Sequence, residues 1–273
     1  MVELGVVPTQ IQPVILCGGS GTRLWLQETG ARCRGLAATV EPLVICNEAQ
    51  RFMVGDQLKR LGIRSNAILL EPEGRGSAPA LTLAAVHCVT ADDPVLLVMP
   101  SDYLIARTDA FERAVERAAA LARQGYLVIF GVRPGNAGIG YGCIRAGARV
   151  NGAHPVEASF VERFVEKPDR ASAEALARDE RCFCNAGIVA VRASVWIDAI
   201  GSLRRDIFAA CERAYRQGGR DGEFLRVDAR TFAGCPADSI DYAVLGRLAA
   251  GHGVPEAVMV RLDGNSGNSG SGS

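Results

Sequence analysis

The chain has 273 residues, 48% hydrophobic and 22% charged, with 30 basic and 30 acidic side chains that cancel. That balance suits one large α/β domain with a substantial core, and zero net charge supplies no field to draw nucleic acid or a membrane surface. No apolar run reaches the ~18 residues of a membrane span, and the opening MVELGVVPTQIQP lacks the pattern of a secretory leader, so the expected compartment is the cytoplasm.

Short apolar strands alternate with helical stretches along the chain, the pattern of a mixed, mostly parallel sheet with helices on both faces. The first strand is Pro13–Leu16, followed by a glycine-rich loop; Leu43–Cys46 is the second, with a helix over Glu48–Leu61 behind it. Strand Ala67–Leu70 leads to a helix from Ala78 to Val89, with Ser77 as its cap and Pro79 in its first turn. After strand Val95–Met99 comes the clearest helix, TDAFERAVERAAALARQG. Thr108 can cap it, Phe111, Val115, Ala118 and Ala122 share one face, and Gly125 ends it. Strands Leu127–Val132, Phe160–Glu166 and Gly187–Val191 follow, with helices over Ser172–Arg178, Ser194–Leu203 and Ile207–Gln217. A single domain is expected over residues 1–263, and the Gly/Asn/Ser segment 264–273 reads as a flexible linker outside the fold.

Nine cysteines without a CxxC pair read as small core residues in a reducing compartment. His87, His154 and His252 show no metal-binding spacing. The only lysines are Lys59 and Lys167, so any role that requires a lysine has two candidates.

The loop after the first strand carries chemistry. Gly18, Gly19 and Gly21 let the backbone turn and aim several N–H groups at one anion, and Arg23 adds a permanently charged fork for phosphate oxygens. A Walker A loop would end in GK[ST], and a dinucleotide fingerprint would place a third glycine where Leu24 stands.

The stretch GGSGTRLW at 18–25 has seven companions in order: VICNEAQRFMVGDQL at 44–58, ILLEPEGRGSAPA at 68–80, LLVMPSDY at 96–103, GYGCIRAG at 140–147, FVEKP at 164–168, CNAGI at 184–188 and SIDYAV at 239–244. Together they resemble the sugar-nucleotide pyrophosphorylases, specifically the bacterial mannose-1-phosphate guanylyltransferases. The resemblance implies a Rossmann-like nucleotidyltransferase fold. It also implies a reaction in which GTP and mannose 1-phosphate give GDP-mannose and pyrophosphate, with Mg²⁺ as cofactor. Phosphoryl transfer of this kind needs positioning and charge neutralisation more than covalent chemistry. By that resemblance Leu16, Gly18 and Gly19 lie against guanine and ribose, Gly21, Thr22 and Arg23 on the triphosphate, and Arg75 in the nucleotide pocket. Asp102 holds the metal, Gly142 lines the sugar pocket, Glu166 accepts from sugar hydroxyls, Lys167 meets the sugar phosphate and Asn185 contacts the sugar. Arg23, Asp102 and Lys167 are the catalytic candidates, while Asp241 reads as readily as a structural residue, for example a helix cap, as a functional one. Homo-oligomerisation is left open.

Two departures weigh on activity. Relatives continue past the arginine to a P-K-Q-F segment whose lysine lies on the nucleotide phosphates. Here no lysine occurs between Arg23 and Lys59, and roughly twenty residues are missing between Trp25 and Pro42 relative to the family pattern. Arg32 or Arg34 is an imperfect substitute. The family's second metal carboxylate is also lacking, and the neutral Asn268 falls near its place. Smaller changes are Tyr103 for histidine, Gly76 for asparagine and Ile139 for threonine. The expectation is a retained fold with severely reduced turnover. The alternative is a non-catalytic paralogue or regulatory partner that binds nucleotide or sugar phosphate.

Overall fold

The computed structural model describes residues 10–18, 29, 36, 39–89, 92–101, 103–104, 108–134, 142–151, 156–169, 178–249, 251, 255–262 and 267–268. In chain order these form β1 (Ile11–Cys17), β2 (Leu43–Asn47), α1 (Arg51–Arg60), β3 (Ala67–Glu71), α2 (Ser77–Cys88), β4 (Val95–Pro100), β5 (Tyr103–Leu104) and α3 (Thr108–Arg123). Then come β6 (Leu127–Val132), β7 (Cys143–Arg149), β8 (Ala158–Val165), β9 (Cys182–Arg192), α4 (Ala193–Leu203), α5 (Arg205–Arg216), β10 (Gly219–Asp221) and β11 (Phe224–Arg226). The last are α6 (Ala229–Phe232), a π-helical turn over Asp241–Leu245, α7 (Gly246–Ala249), β12 (Ala257–Arg261) and β13 (Gly267–Asn268).

The main sheet is mixed and runs β10-β11-β3-β2-β1-β4-β9-β6-β12-β8-β7. Parallel pairing extends from β11 through β3, β2 and β1 to β4. There β9 enters antiparallel to both β4 and β6, and β7 and β8 close the far edge. Successive side chains on a strand point to opposite faces, and here both faces are covered. Val14, Leu43, Ile45, Leu69, Leu96 and Val98 join one core with residues of α2, α4 and α5. Ile15, Val44, Ile68, Leu97 and Met99 join another with residues of α1 and α3. Burial on both sides explains why these strands read as unbroken apolar runs rather than alternating ones. On the first face Trp196 is fully buried, and its indole N–H donates to the Thr82 hydroxyl at 3.1 Å, which in turn donates to the Ala78 carbonyl at 2.7 Å. The polar atoms of this pair are therefore paired, and the core keeps the ring's area without an orphaned donor.

The expected face of α3 is buried, and Gly125 terminates it at φ +97°. Other expectations need adjustment. The stretch after β2 begins with a 3-10 turn over Glu48–Gln50 before α1 starts. Ser77 is not a cap: it is the first residue of α2, behind Gly76, and its hydroxyl accepts the Ile240 N–H at 3.0 Å instead. A tertiary partner has claimed the oxygen that local geometry would have used. Nearly all of the helix expected over Ser172–Arg178 lies outside the described residues, and Arg178 sits in a turn. Gly267–Asn268, in the segment expected to stay outside the fold, pair antiparallel with Tyr103–Leu104. Backbone N–H and C=O groups make such a pair whatever the side chains, so a Gly/Asn/Ser composition does not prevent it. Of the described cysteines, Cys143 and Cys184 are half-buried and the other six fully buried, and none of them forms a disulfide. No described helix is long and apolar enough to cross a membrane.

Candidate functional site

The parallel strands all end at one edge, where open α/β sheets meet ligands. At that edge β1 runs out into Gly18, and the Ser101 N–H, just past β4, donates to the Leu16 carbonyl at 3.0 Å. Leu16 pairs in register with Pro100. Strand β9 comes in beside them: a Cβ placed on Gly187 would lie 3.8 Å from Pro100 Cγ. Leu16 and Gly18 therefore stand where a nucleotide loop should begin. Gly19, Gly21, Thr22, Arg23 and Asp102 lie outside the described residues.

The pairing of β7 with β8 and β9 assembles a second group. Cys143 is opposite Val165 on one side and Cys184 on the other, which carries Gly142 and Glu166, at the paired ends of β7 and β8, to Asn185 in the interior of β9. The Asn185 N–H donates to the Gly142 carbonyl at 2.7 Å. A Cβ on Gly142 would lie 2.6 Å from Glu166 Oε2, 3.1 Å from Phe164 Cζ and 3.6 Å from Asn185 Cβ, so only glycine leaves Glu166 where it is. Lys167 follows at φ +45°, a left-handed conformation rare for a residue with a side chain. Burial pushes the Glu166 carboxyl above its usual range, the nearby Asp241 adds to this, and Lys167 opposes it.

The sequence leaves Asp241 open to a structural role, for example a helix cap. The capping side chain is that of Ser239, whose hydroxyl accepts the Tyr242 N–H at 3.3 Å, and Asp241 opens the π-helical turn. Its Oδ1 accepts from Asn185 Nδ2 at 2.9 Å, while Asn185 Oδ1 accepts the Gly187 N–H at 3.1 Å. Burial raises its pKa as well, against the pull of hydrogen bonds from its own backbone N–H, Asn185 and Ser239. Gly142, Glu166, Lys167, Asn185 and Asp241 thus form one cluster of two desolvated carboxylates, an amide and an ammonium.

Arg75 is held elsewhere. Its guanidinium donates to Glu73 and to the Ala233 carbonyl at 2.8 Å, and its own carbonyl accepts the Asp238 N–H at 2.9 Å. Next to it Gly76 adopts φ +88°, and a Cβ there would lie 2.4 Å from the Asp238 carbonyl oxygen. Asparagine, the usual residue in the resembled family, would not fit that approach. Glu71, at the end of β3, also escaped the sequence reading. It is 8% exposed, its Oε1 has no partner among the described residues, and burial followed by Cys235 raises its carboxyl to about 8. Nothing in EPEGR distinguishes a buried from an exposed glutamate. Among the described residues no group of three or more His, Cys, Asp and Glu side chains is placed to hold a metal ion.

Residues 26–230 match the family described as Nucleotidyl transferase. The chain is 42% identical over 276 residues to the xanthan biosynthesis protein XanB of Xanthomonas campestris pv. campestris, strain B100, covering 93% of this chain and 56% of that protein. It is 40% identical over 278 residues to the mannose-1-phosphate guanylyltransferase ManC of Salmonella typhimurium, again 93% and 56%. The chain spans little more than half the length of these relatives. Among solved structures, a mannose-6-phosphate isomerase from Helicobacter pylori superimposes with a TM-score of 0.79 at 25% identity, covering 94% of this chain and 99% of that one. A mannose-1-phosphate geranyltransferase from Thermus thermophilus superimposes with a TM-score of 0.76, also at 25% identity, over 95% and 76%.

Proposed function

This chain belongs to the nucleotidyl transferase family, and from that premise we propose that it binds GTP and mannose 1-phosphate and converts them slowly to GDP-mannose and pyrophosphate. An oxygen of the sugar phosphate attacks the α-phosphorus of GTP, and the bond to the β,γ-diphosphate breaks. The observation that carries the reading is the convergence of Gly142, the pair Glu166–Lys167 and Asn185, from three separate stretches of sequence, where the paired ends of β7 and β8 meet the interior of β9. There Glu166 is the acceptor for sugar hydroxyls, Asn185 orients the ring and Lys167 neutralises the sugar phosphate. The names of the relatives supply the choice of mannose and of a guanine nucleotide. Leu16 and Gly18 begin the nucleotide cradle and Gly19, Gly21, Thr22 and Arg23 continue it, while Arg75 is turned to Glu73 and the Ala233 carbonyl. A single carboxylate beside substrate phosphates is a donor set that Mg²⁺ accepts, so Asp102, next to the Ser101 that bonds to β1, is the residue to hold the ion. The ion would offset the charge of the triphosphate.

Slow turnover follows from what stands around these groups. No lysine lies between Arg23 and Lys59, and a lost phosphate donor commonly costs ~10²–10³ in rate. The aligned span of 276 residues exceeds the 273 of the chain itself, which supports an internal shortening. The neutral Asn268, which falls near the place of the family's second carboxylate in the sequence, pairs through its backbone with Tyr103. A non-catalytic binding protein is the second reading, favoured by the same missing lysine. A Mg²⁺-dependent pyrophosphate-release assay with GTP and mannose 1-phosphate, run beside thermal titrations with GTP and GDP-mannose, tests both. The expected result is a raised melting temperature with each ligand and release at least ~10² below an ordinary ~10 s⁻¹. Undetectable release would favour the binding protein, and unshifted melting would reject the site.

Gly142 gives a second test. Gly142→Ala is expected to weaken mannose 1-phosphate at least about tenfold by displacing the Glu166 carboxylate, with GTP affinity unchanged in calorimetric titration. Equal affinity for the sugar phosphate would remove Glu166 from the pocket.

A further inference from the structure

The geometry points to Asp241 as a positioning residue for sugar recognition: it clamps the side-chain amide of Asn185 so that one N–H of that amide is fixed toward the ligand. The inference rests on the proposal that Asn185 contacts the sugar. An asparagine amide is free to turn by half a revolution, exchanging donor for acceptor, unless both ends are held. Here both are. Asp241 Oδ1 takes one amide N–H at 2.9 Å, and the Gly187 N–H caps Oδ1 of Asn185 at 3.1 Å. That leaves the second amide N–H as the donor for a ligand, and the backbone bond to Gly142 at 2.7 Å fixes where it starts.

Asp241 is itself built in rather than merely nearby. Its carboxylate is desolvated by burial, and its Oδ1 is taken up by the Asn185 amide. The π-helical turn that it opens fits an extra residue into the helical path, a feature often found at functional positions. The segment leading into that turn is tied to the first turn of α2: the Ala78 N–H donates to the Asp238 carbonyl at 3.2 Å, and the Ile240 N–H to Ser77 Oγ at 3.0 Å. The direction of Asn185 is thereby referenced to a different part of the sheet edge from the strand that carries it.

The test measures equilibrium affinity for mannose 1-phosphate, GDP-mannose and GTP, so it does not depend on turnover. Asp241→Ala is expected to weaken both sugar ligands about tenfold and to leave GTP within about twofold. Asp241→Asn keeps a carbonyl oxygen for the amide and is expected to retain sugar affinity within about threefold. Asn185→Ala should lose at least as much as Asp241→Ala, and the double variant no more than Asn185→Ala alone, because the second residue acts through the first. Asp241→Ser keeps a polar turn-starter too short to reach the amide. It should bind like Asp241→Ala, and it carries the test if the alanine variant does not fold. Additive losses, a parallel fall in GTP affinity, or equal defects in Asp241→Asn and Asp241→Ala would overturn the inference. If wild type binds both sugar ligands and Asp241→Ala and Asp241→Ser bind equally well, this inference alone fails. If wild type binds neither, the functional reading fails with it.

Discussion

Glu71→Gln is expected to stabilise the protein by several kcal/mol above about pH 8 and by almost nothing below about pH 4.5. Glu71 is 8% exposed, its Oε1 lacks a partner among the described residues, and desolvation raises its carboxyl from 4.5 to about 8. An acid whose folded pKa is raised binds a proton more tightly in the native state than in the unfolded one. Its favourable contribution is complete below about pH 4.5 and is lost as pH rises through about 8. The span corresponds to about 5 kcal/mol, an upper figure for a single carboxyl. Glutamine has the same shape and no charge to desolvate, so it mimics the protonated acid at every pH. Urea unfolding of both proteins at about pH 5, 7 and 9 measures the gap. A difference that does not grow with pH would show that Glu71 ionises without penalty and is reached by water or a cation.

Lys167→Gly is expected to separate binding from stability. At φ +45° lysine sits in a region that costs a residue with a Cβ about 1 kcal/mol, and glycine sits there freely. The variant should be at least as stable as wild type. Its affinity for mannose 1-phosphate should nevertheless fall roughly 10–100-fold, the worth of a charged hydrogen bond to phosphate. Few substitutions raise stability and abolish binding together, and that pair of signs marks strain retained for function. If melting temperature and affinity fell together, Lys167 would be a structural residue. If affinity held, the phosphate would be met by another cation.

How much of this could be read before the structure depended on where the information resides. Strands β1 to β4 and β6 were legible because both their faces are buried, and their apolar runs stand out in the chain. The hairpin β10–β11 was not, because its residues Gly219–Asp221 are exposed and carry no pattern. Ser77 misled because a serine before an apolar run caps a helix unless something more distant uses its oxygen, and Ile240 does. Gly142, Glu166, Lys167 and Asn185 were nameable only by resemblance, since no local rule connects residues that meet through strand pairing. Asp241 and Glu71 were beyond reach. What defines each is a partner, or the lack of one, supplied by the fold.

Strand β9 now takes on a second meaning. It is the seam of the sheet: β6 pairs with one edge of it, and β4 and then β7 with the other. It also carries Asn185. The neighbours that give this residue its setting come from both halves of the sheet, Pro100 beside Gly187 from the parallel half, Gly142 from the antiparallel half and Asp241 from the turn beyond. A partly assembled chain with only one half closed would have no weak version of the pocket to offer. On the proposed function, sugar binding would therefore report complete assembly, because it would require both halves to have closed on the same strand.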